Sequence, residues 1–227
     1  MGGRERVLLI LSLGVLMIVV PDSAFAATVG SPVVPYGQSV AGRSYPQWEA
    51  AAWQWRLRLP NNNASSKTSC VSQAQNGPVW FLGWSAFNGT TATLKCDVPA
   101  GRYIMLWAPS QICTTLDTLP GHTMTSAALK RCPKASWKRR PGQESVTLDG
   151  VAFQPAGYLV ATEVFAFQVP ARNNILAVSG RTHGRAAVFG AATILRPVSP
   201  GTHTFVQVET YAHTSFYRKL TFQITVS

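Results

Sequence analysis

The second half of the chain repeats one pattern, in which short runs of alternating apolar and polar residues are separated by turn signals. After Asp149-Gly150, a pair that favours hairpin turns, the Ser199-Pro200-Gly201 triplet again favours a reversal of chain direction. Many short strands with such turns between them predict a mainly β fold, an antiparallel β-sandwich of the immunoglobulin-like or jelly-roll type. The runs that we interpret as strands are residues 145–148, 160–169, 173–178, 186–195, 202–208 and 220–226.

The first half combines strands with one N-terminal amphipathic helix. Residues 78–87, 91–98 and 102–107 are predicted strands, and Val98-Pro99-Ala100-Gly101 is a turn of the kind that joins antiparallel neighbours. The helix is predicted at about residues 46–59, because Ser44 can cap it, Pro46 suits its first turn and Pro60 stops it.

The predicted helix carries apolar residues on two faces. At 100° per residue, Trp48, Ala52, Trp55 and Leu59 share one stripe, whereas Trp53 falls on the far side. Such a helix is either sandwiched between two layers or presents its second face to something outside the protein.

Residues 1–26 have the features of a secretory signal peptide. Arg4 and Arg6 precede an apolar run over residues 7–20, and Ala24-Phe25-Ala26 supplies small residues before the expected cleavage point. We therefore predict an extended lead-in at residues 27–43 and one β-sandwich domain at 44–227. No later segment has the length and continuity of a membrane span, so we expect a secreted, extracellular or cell-wall-associated product without a transmembrane segment.

Cysteine usage agrees with export. The chain has four cysteines, Cys70, Cys96, Cys113 and Cys132, and no C-x-x-C pair that would suggest a zinc site. An even number in an exported chain predicts two disulfides with three possible pairings. We favour Cys70–Cys96 and Cys113–Cys132, because each closes a loop of about 20–27 residues, which contributes roughly 3 kcal/mol by restricting the unfolded chain.

Several segments resemble a family of exported bacterial proteins with a "Y-x-x-W … W-W-Q-W" helix, a "G-P-V-W-F-L-A-G" strand and a "C-x-V-P-A-G" turn. The resemblance spans nearly the whole mature chain and supports the fold and the cysteine pairing, but it implies no activity. This chain has Ala52 where a tryptophan is common in the family. The matching segments are Tyr45-Pro46-Gln47-Trp48, Trp53-Gln54-Trp55, Gly77-Pro78-Val79-Trp80-Phe81-Leu82 and Cys96-Asp97-Val98-Pro99-Ala100-Gly101.

A dense basic cluster is the first candidate for function. The formal net charge of +11 belongs to the mature part, because the two basic and two acidic residues of the leader cancel. We predict a short helix at residues 126–131, followed by a basic loop at 134–143. Such a cluster would attract an anionic polysaccharide or cell-envelope polymer, and in an exported protein we do not expect nucleic acid; the alternative is a loop that is simply basic and solvated. The candidate binding residues are Lys130, Arg131, Lys134, Trp137, Lys138, Arg139 and Arg140.

Exposed tryptophans are the second candidate, because sugar rings stack on aromatic faces. Trp53 is the main candidate, and Trp84 or Trp107 is a further one, although most tryptophans of a β-sandwich belong to the core.

Catalytic and cofactor signatures are weak. The four histidines lack ligand spacing, no phosphate loop occurs, and we predict no metal and no cofactor. A glycosidase needs two carboxyl groups around one bond, and Glu163 or Glu209 is the candidate acid. The sequence therefore favours a non-catalytic binder of glycans or anionic wall polymers. The alternatives are a hydrolase acting on such polymers, with two carboxylates in one cleft, and a structural wall protein without a ligand.

Overall fold

The structure is a computed structural model that describes residues 31–61, 69–83, 90–117, 124–153, 157–180 and 182–227. The predicted signal peptide at 1–26 lies outside these residues and stays a prediction. Two helices, α1 (Tyr45–Arg58) and α2 (Ser126–Arg139), accompany the strands. The strands are β1 (Val79–Leu82), β2 (Thr90–Val98), β3 (Tyr103–Leu106), β4 (Ser110–Thr114), β5 (Gly142–Leu148), β6 (Val151–Ala152), β7 (Tyr158–Ala161), β8 (Phe165–Gln168), β9 (His183–Leu195), β10 (Gly201–Tyr211) and β11 (Tyr217–Val226).

The strands form two sheets, which confirms the mainly β class. Sheet I has six strands in the order β1-β3-β9-β4, with β7 and β8 also paired to β9, and sheet II has the order β2-β11-β10-β5-β6. Most pairs are antiparallel, but β1–β3 and β2–β11 are parallel, so both sheets are mixed. The sandwich interior is the largest hydrophobic cluster, in which Leu106 and Leu195 of sheet I join Phe205 and Phe222 of sheet II.

The turn at residues 98–101 does not join antiparallel neighbours, so that prediction is wrong. It connects β2 of sheet II to β3 of sheet I and therefore carries the chain from one layer to the other. Its Pro/Gly composition specifies a change of direction, with Gly101 at φ +76°, but not the partner of the next strand.

Residues 173–178 form a turn and not the predicted strand. The Asn174 side chain donates hydrogen bonds to the carbonyls of Pro170 (2.9 Å) and Val178 (2.7 Å) and accepts one from the Val178 amide (3.2 Å). Because a buried asparagine satisfies the local backbone, this apolar-rich segment needs no strand partner.

Helix α1 agrees with its prediction to within one residue at each end. The Ser44 amide donates to Gln47 Oε1 at 2.8 Å at the start of the helix. Trp48 and Trp55 pack in one hydrophobic cluster, whereas Trp53 and Leu57 pack in another. Both clusters contain residues of sheet I, and α1 makes its main contacts with β7, β8 and β9 of that sheet, so it lies against one sheet and is not sandwiched between two.

Helix α2 is longer than predicted, and the predicted basic loop forms its second half. Thr125 caps it by accepting a hydrogen bond from the Ala128 amide at 3.2 Å, and Pro133 lies inside it. Leu129, Pro133 and Trp137 recur every four residues and are buried, and the helix packs on β4 and β9. Burial of this face outweighs the helix-breaking tendency of Pro133, which made the sequence prediction too short.

Both predicted disulfides are confirmed. Cys70 pairs with Cys96 on β2, and Cys113 on β4 pairs with Cys132 on α2. Disulfides persist in oxidising compartments, so the pair fits a protein outside the reducing cytoplasm. Neither helix in the described part of the chain is long and apolar enough to cross a membrane.

Candidate functional site

The solvent side of α2 and the residue after it form a basic surface. Arg131, Lys134 and Lys138 lie three and four residues apart and are all exposed, so they share one stripe along the helix. At a rise of about 1.5 Å per residue the stripe is roughly 10 Å long. Arg139 and Arg140 are exposed beside it. We call these five residues the α2 basic face.

No carboxylate within α2 balances this charge. The helix sequence contains no acidic residue. Lys130 forms an ion pair with Glu163 (2.5 Å), but both side chains are well exposed, at 42% and 87%, so the pair contributes at most about 1 kcal/mol. The five cations of the α2 basic face form no ion pair within the described part of the chain. The face is therefore a local concentration of positive charge.

The underside of α2 explains how this face is held in place. The Cys113–Cys132 disulfide joins the helix to β4, and Trp137 packs edge-on against Phe189 of β9 at 6.0 Å between ring centroids. Trp137 is only 8% exposed, so the prediction that it belongs to the binding surface is wrong. At about 3.6 residues per turn it lies next to Lys134 around the helix, at the edge of the buried face, where it serves as an anchor.

Trp53 is also buried, and the prediction of an exposed platform there is wrong. It is 5% exposed, its ring centroid lies 4.6 Å from that of the partly buried Trp107, and its Nε1 donates to Glu49 Oε1 at 3.0 Å. The far side of α1 faces a second hydrophobic cluster, which covers this ring. Trp84 lies outside the described residues.

The two carboxylates proposed for a hydrolase do not share a cleft. Glu163 is a surface residue paired with Lys130, whereas Glu209 is buried on the inner face of sheet II and hydrogen-bonded to Arg218. Glu209 is aligned with Glu144 on the neighbouring strand β5. The carboxylate neighbour of Glu209 is thus Glu144, and Arg218 forms its ion pair with Glu209 inside the protein.

Glu144 belongs to this buried polar cluster. Burial raises the pKa of its carboxyl group to about 8, and the negative charge of Glu209 adds to the shift. The Gln207 side-chain amide donates to Glu144 Oε1, and Thr193 Oγ1 donates to Oε2 at 3.3 Å. Burial also raises the pKa of Glu209, against the lowering effect of Arg218. The sequence identifies Glu209 as a candidate acid but does not reveal the cluster, because the strand register that aligns it with Glu144 is a long-range pairing.

Glu49 is a core residue, although sequence reasoning assigned it to the helix N-terminus. Burial raises the pKa of its carboxyl group to about 7, partly offset by hydrogen bonds from Trp53 and Ser110. The buried face of the helix is wide enough to include this position, so an acidic residue near its start is not in solvent here.

His203 is hydrogen-bonded to the turn between β5 and β6. Its Nδ1 lies 2.8 Å from Asp149 Oδ2, and this hydrogen bond raises the pKa of the imidazole. The described residues contain no group of three or more histidine, cysteine or acidic side chains able to hold a metal ion.

No protein-family model and no curated protein sequence matches this chain. Solved structures that are similar to parts of it include the structure of PbICP-C in complex with falcipain-2, at 12% identity over 66% of this chain and 100% of that chain, with a TM-score of 0.24. Another is the solution structure of amebosin, at 14% identity over 60% of this chain and 96% of that chain, with a TM-score of 0.22. At these TM-scores neither similarity carries an argument about fold or function.

Proposed function

We propose that this protein is an exported, non-catalytic binder of anionic polysaccharide or cell-envelope polymer, and that it binds through the α2 basic face. The observation that carries the proposal is the row formed by Arg131, Lys134 and Lys138, three exposed cations on one stripe of a helix without acidic residues. A rigid row of like charges matches a ligand that itself carries repeated negative charge, and it raises the local concentration of such a ligand.

Rigidity distinguishes this surface from a solvated basic loop. The disulfide to β4 and the buried Trp137 hold the helix against sheet I, so binding does not have to order the backbone. An interaction that orders fewer groups loses less conformational entropy. The helical structure of residues 131–139 therefore supports binding better than the loop predicted from sequence.

Export is the second part of the proposal, and the two disulfides support it because such bonds persist in oxidising compartments. A secreted or cell-wall-associated protein would meet anionic polysaccharide there. The separation of Glu163 at the surface from Glu209 in the interior is the reason that we propose binding and not hydrolysis.

Polymer binding by matched charge variants tests the proposal. Biolayer interferometry would compare immobilised polygalacturonate, which is carboxylated, with neutral dextran. The test variant is Arg131→Gln/Lys134→Gln/Lys138→Gln. The control, Lys95→Gln/Arg172→Gln/Lys219→Gln, removes the same charge from exposed positions outside α2.

We expect the wild type to bind polygalacturonate and not dextran, the α2 variant to lose at least tenfold in affinity, and the control to lose less than threefold. Equal losses in the two variants would mean that total charge, and not the α2 basic face, attracts the polymer. Absence of wild-type binding at low salt would refute the proposed function.

A further inference from the structure

A groove of about 460 Å³ runs along one side of α1. Its walls are α1, the turn at residues 40–43 and the segment 74–81. We call it the α1 groove. The residues that line it include Arg43, Trp48, Ala51, Trp55, Arg58 and Asn76.

The shape of the α1 groove follows from the helical period. Trp48, Ala51, Trp55 and Arg58 are spaced three, four and three residues apart and therefore lie along one side of the helix. Ala51 has the smallest side chain of the four, so the helix surface is lowest between the two indole rings. The result is a depression with an aromatic residue on each side.

Both indole rings are fixed. Trp48 Nε1 donates to the Val40 carbonyl and Trp55 Nε1 donates to the Gln73 carbonyl, each at 2.8 Å. Each of the two residues is only 5% exposed, so the rings form a fixed wall and not a platform on which a sugar could stack. A ligand would therefore meet a preformed surface, which lowers the entropy cost of binding.

Arg43 is held over the groove by two constraints. Its backbone exchanges hydrogen bonds with Val40, at 2.9 and 3.0 Å, across a tight turn. Its guanidinium carbon lies 5.0 Å from the ring centroid of Trp48. A guanidinium fixed by stacking keeps its fork of N–H donors available for a carboxylate or a sulfate.

The backbone of the groove walls is strained. Ala41 and Ala74 both line the groove and adopt positive φ angles of +46° and +55°. Non-glycine residues reach this region at a cost of roughly 1–3 kcal/mol, and such residues cluster at binding sites, where the surrounding structure holds them.

The charge of the α1 groove has one sign. Arg43 near one end and Arg58 in the last turn of α1 are exposed, and the lining contains no carboxylate. Neither arginine forms an ion pair within the described ranges. Asn76 adds an exposed amide, which can bond to hydroxyl groups.

We propose that the α1 groove binds a short stretch of carboxylated sugar, with Arg43 and Arg58 contacting carboxylates and with Trp48 and Trp55 as fixed, mostly buried parts of the groove wall. A mixture of fixed aromatic surface and a few convergent polar groups is typical of small-ligand pockets. This inference rests on the proposed function for its class of ligand, but it assigns a second site that is separate from the α2 basic face.

Indole NMR signals test the site directly. The Nε1–H signals of Trp48 and Trp55 report on the groove, and that of Trp137 reports on the underside of α2. Titration with tetragalacturonate should shift the first two, whereas neutral maltotetraose should bind at least fivefold more weakly.

Arg58→Gln should weaken tetragalacturonate binding at least fivefold, and Ala51→Leu should weaken it by filling the groove without changing charge. Arg172→Gln, an exposed arginine outside the groove, is the control and should change the affinity less than twofold.

The two proposals fail in different ways. If tetragalacturonate shifts Trp137 alone or none of the three signals, the groove inference is wrong, whether or not α2 still governs polymer binding. If Arg58→Gln and Arg172→Gln weaken binding equally, the effect comes from overall charge and the inference is also wrong. If the groove signals shift in wild type and in the α2 triple variant, but polymer binding does not depend on α2, the groove inference is supported and the proposed role of α2 is wrong.

Discussion

Helices α1 and α2 both have 14 residues and differ in what covers them. Eight residues of α1 are buried, over a wide face that packs on sheet I, whereas only three residues of α2 are buried, all along one side. A helix with a wide buried face contributes much apolar burial to the fold. A helix buried on one side can display charge on the other. We infer that α1 contributes more to folding stability than α2 does, whereas the proposed binding of anionic polymer uses α2.

The two helices are also held in different ways. Tryptophan side chains hold α1, since Trp48, Trp53 and Trp55 each donate an indole hydrogen bond and pack in hydrophobic clusters. A covalent bond holds α2, together with the small buried face of Leu129, Pro133 and Trp137. The loss of a side chain should therefore affect α1 most, and the loss of a disulfide should affect α2 most.

The largest expected effect is the loss of a tryptophan from α1. Trp53→Ala removes a buried ring that contacts Trp107 and leaves Glu49 without its indole donor. We expect the free energy of unfolding, measured by urea denaturation, to fall by about 3–5 kcal/mol. Lys138→Ala on the exposed side of α2 is the comparison, with an expected change within about 0.5 kcal/mol. Similar values for the two variants would contradict the contrast between the helices.

Removal of the α2 tether comes next. Cys113→Ala/Cys132→Ala opens a loop with a sequence separation of 19 residues, and we expect a loss of about 3 kcal/mol. Hydrogen exchange should show amides of α2 exchanging faster while those of α1 keep their protection. Faster exchange in both helices to the same extent would show that the disulfide stabilises the whole fold and not α2 in particular.

The pH dependence of stability distinguishes the α1 core from the surface. The folded-state pKa values of Glu49, about 7, and Glu144, about 8, lie above the ordinary carboxyl value of 4.5. The folded state therefore binds more protons than the unfolded state between about pH 4.5 and 8, so stability falls as the pH rises through this window. We expect a loss on the order of 5 kcal/mol between pH 5 and pH 8 in denaturation experiments.

A neutral isostere isolates the contribution of α1 to this dependence. Glu49→Gln keeps an oxygen that can accept from Trp53 Nε1 but cannot ionise. It should leave stability at pH 5 nearly unchanged, raise stability at pH 8 and flatten the profile between them. An unchanged profile would mean that Glu49 ionises in the fold without cost.

Much of the fold follows from local sequence signals. Ser44, Pro46 and Pro60 located α1 to within one residue, and loop length identified both disulfides. Local signals do not encode which sheet a strand joins. The strands on either side of the turn at 98–101 were therefore wrongly predicted to pair, whereas those on either side of Asp149-Gly150, β5 and β6, do pair. In α2, Pro133 disfavours a helix, whereas the buried face that stabilises the helix depends on tertiary contacts, which the sequence pattern does not show.

The candidate site was predictable in its charges but not in its aromatic residues. Runs of lysine and arginine are exposed in most folds, so the cations of α2 could be identified without a structure. The exposure of Trp53 and Trp137 depended on what packs against each helix, which no local pattern gives. The α1 groove requires residues 40–43 and 74–81 to meet on α1, a long-range arrangement that the sequence does not reveal.

The smallest expected change in stability is that of the α2 triple variant, which is also the variant whose polymer binding is most informative. Arg131→Gln/Lys134→Gln/Lys138→Gln should alter the free energy of unfolding by less than about 0.5 kcal/mol, since all three side chains are exposed and outside ion pairs among the described residues. Thermal denaturation at matched pH checks this, and a larger loss would mean that the row supports the fold.

The most direct test of the account is the salt dependence of polygalacturonate affinity in the wild type and in this triple variant. If the three cations contact the polymer, each releases bound counterions, and the plot of log affinity against log salt concentration should become shallower by about two to three in the variant. An unchanged slope would show that the polymer, if bound, lies elsewhere on the protein, and it would contradict the assignment of binding to α2.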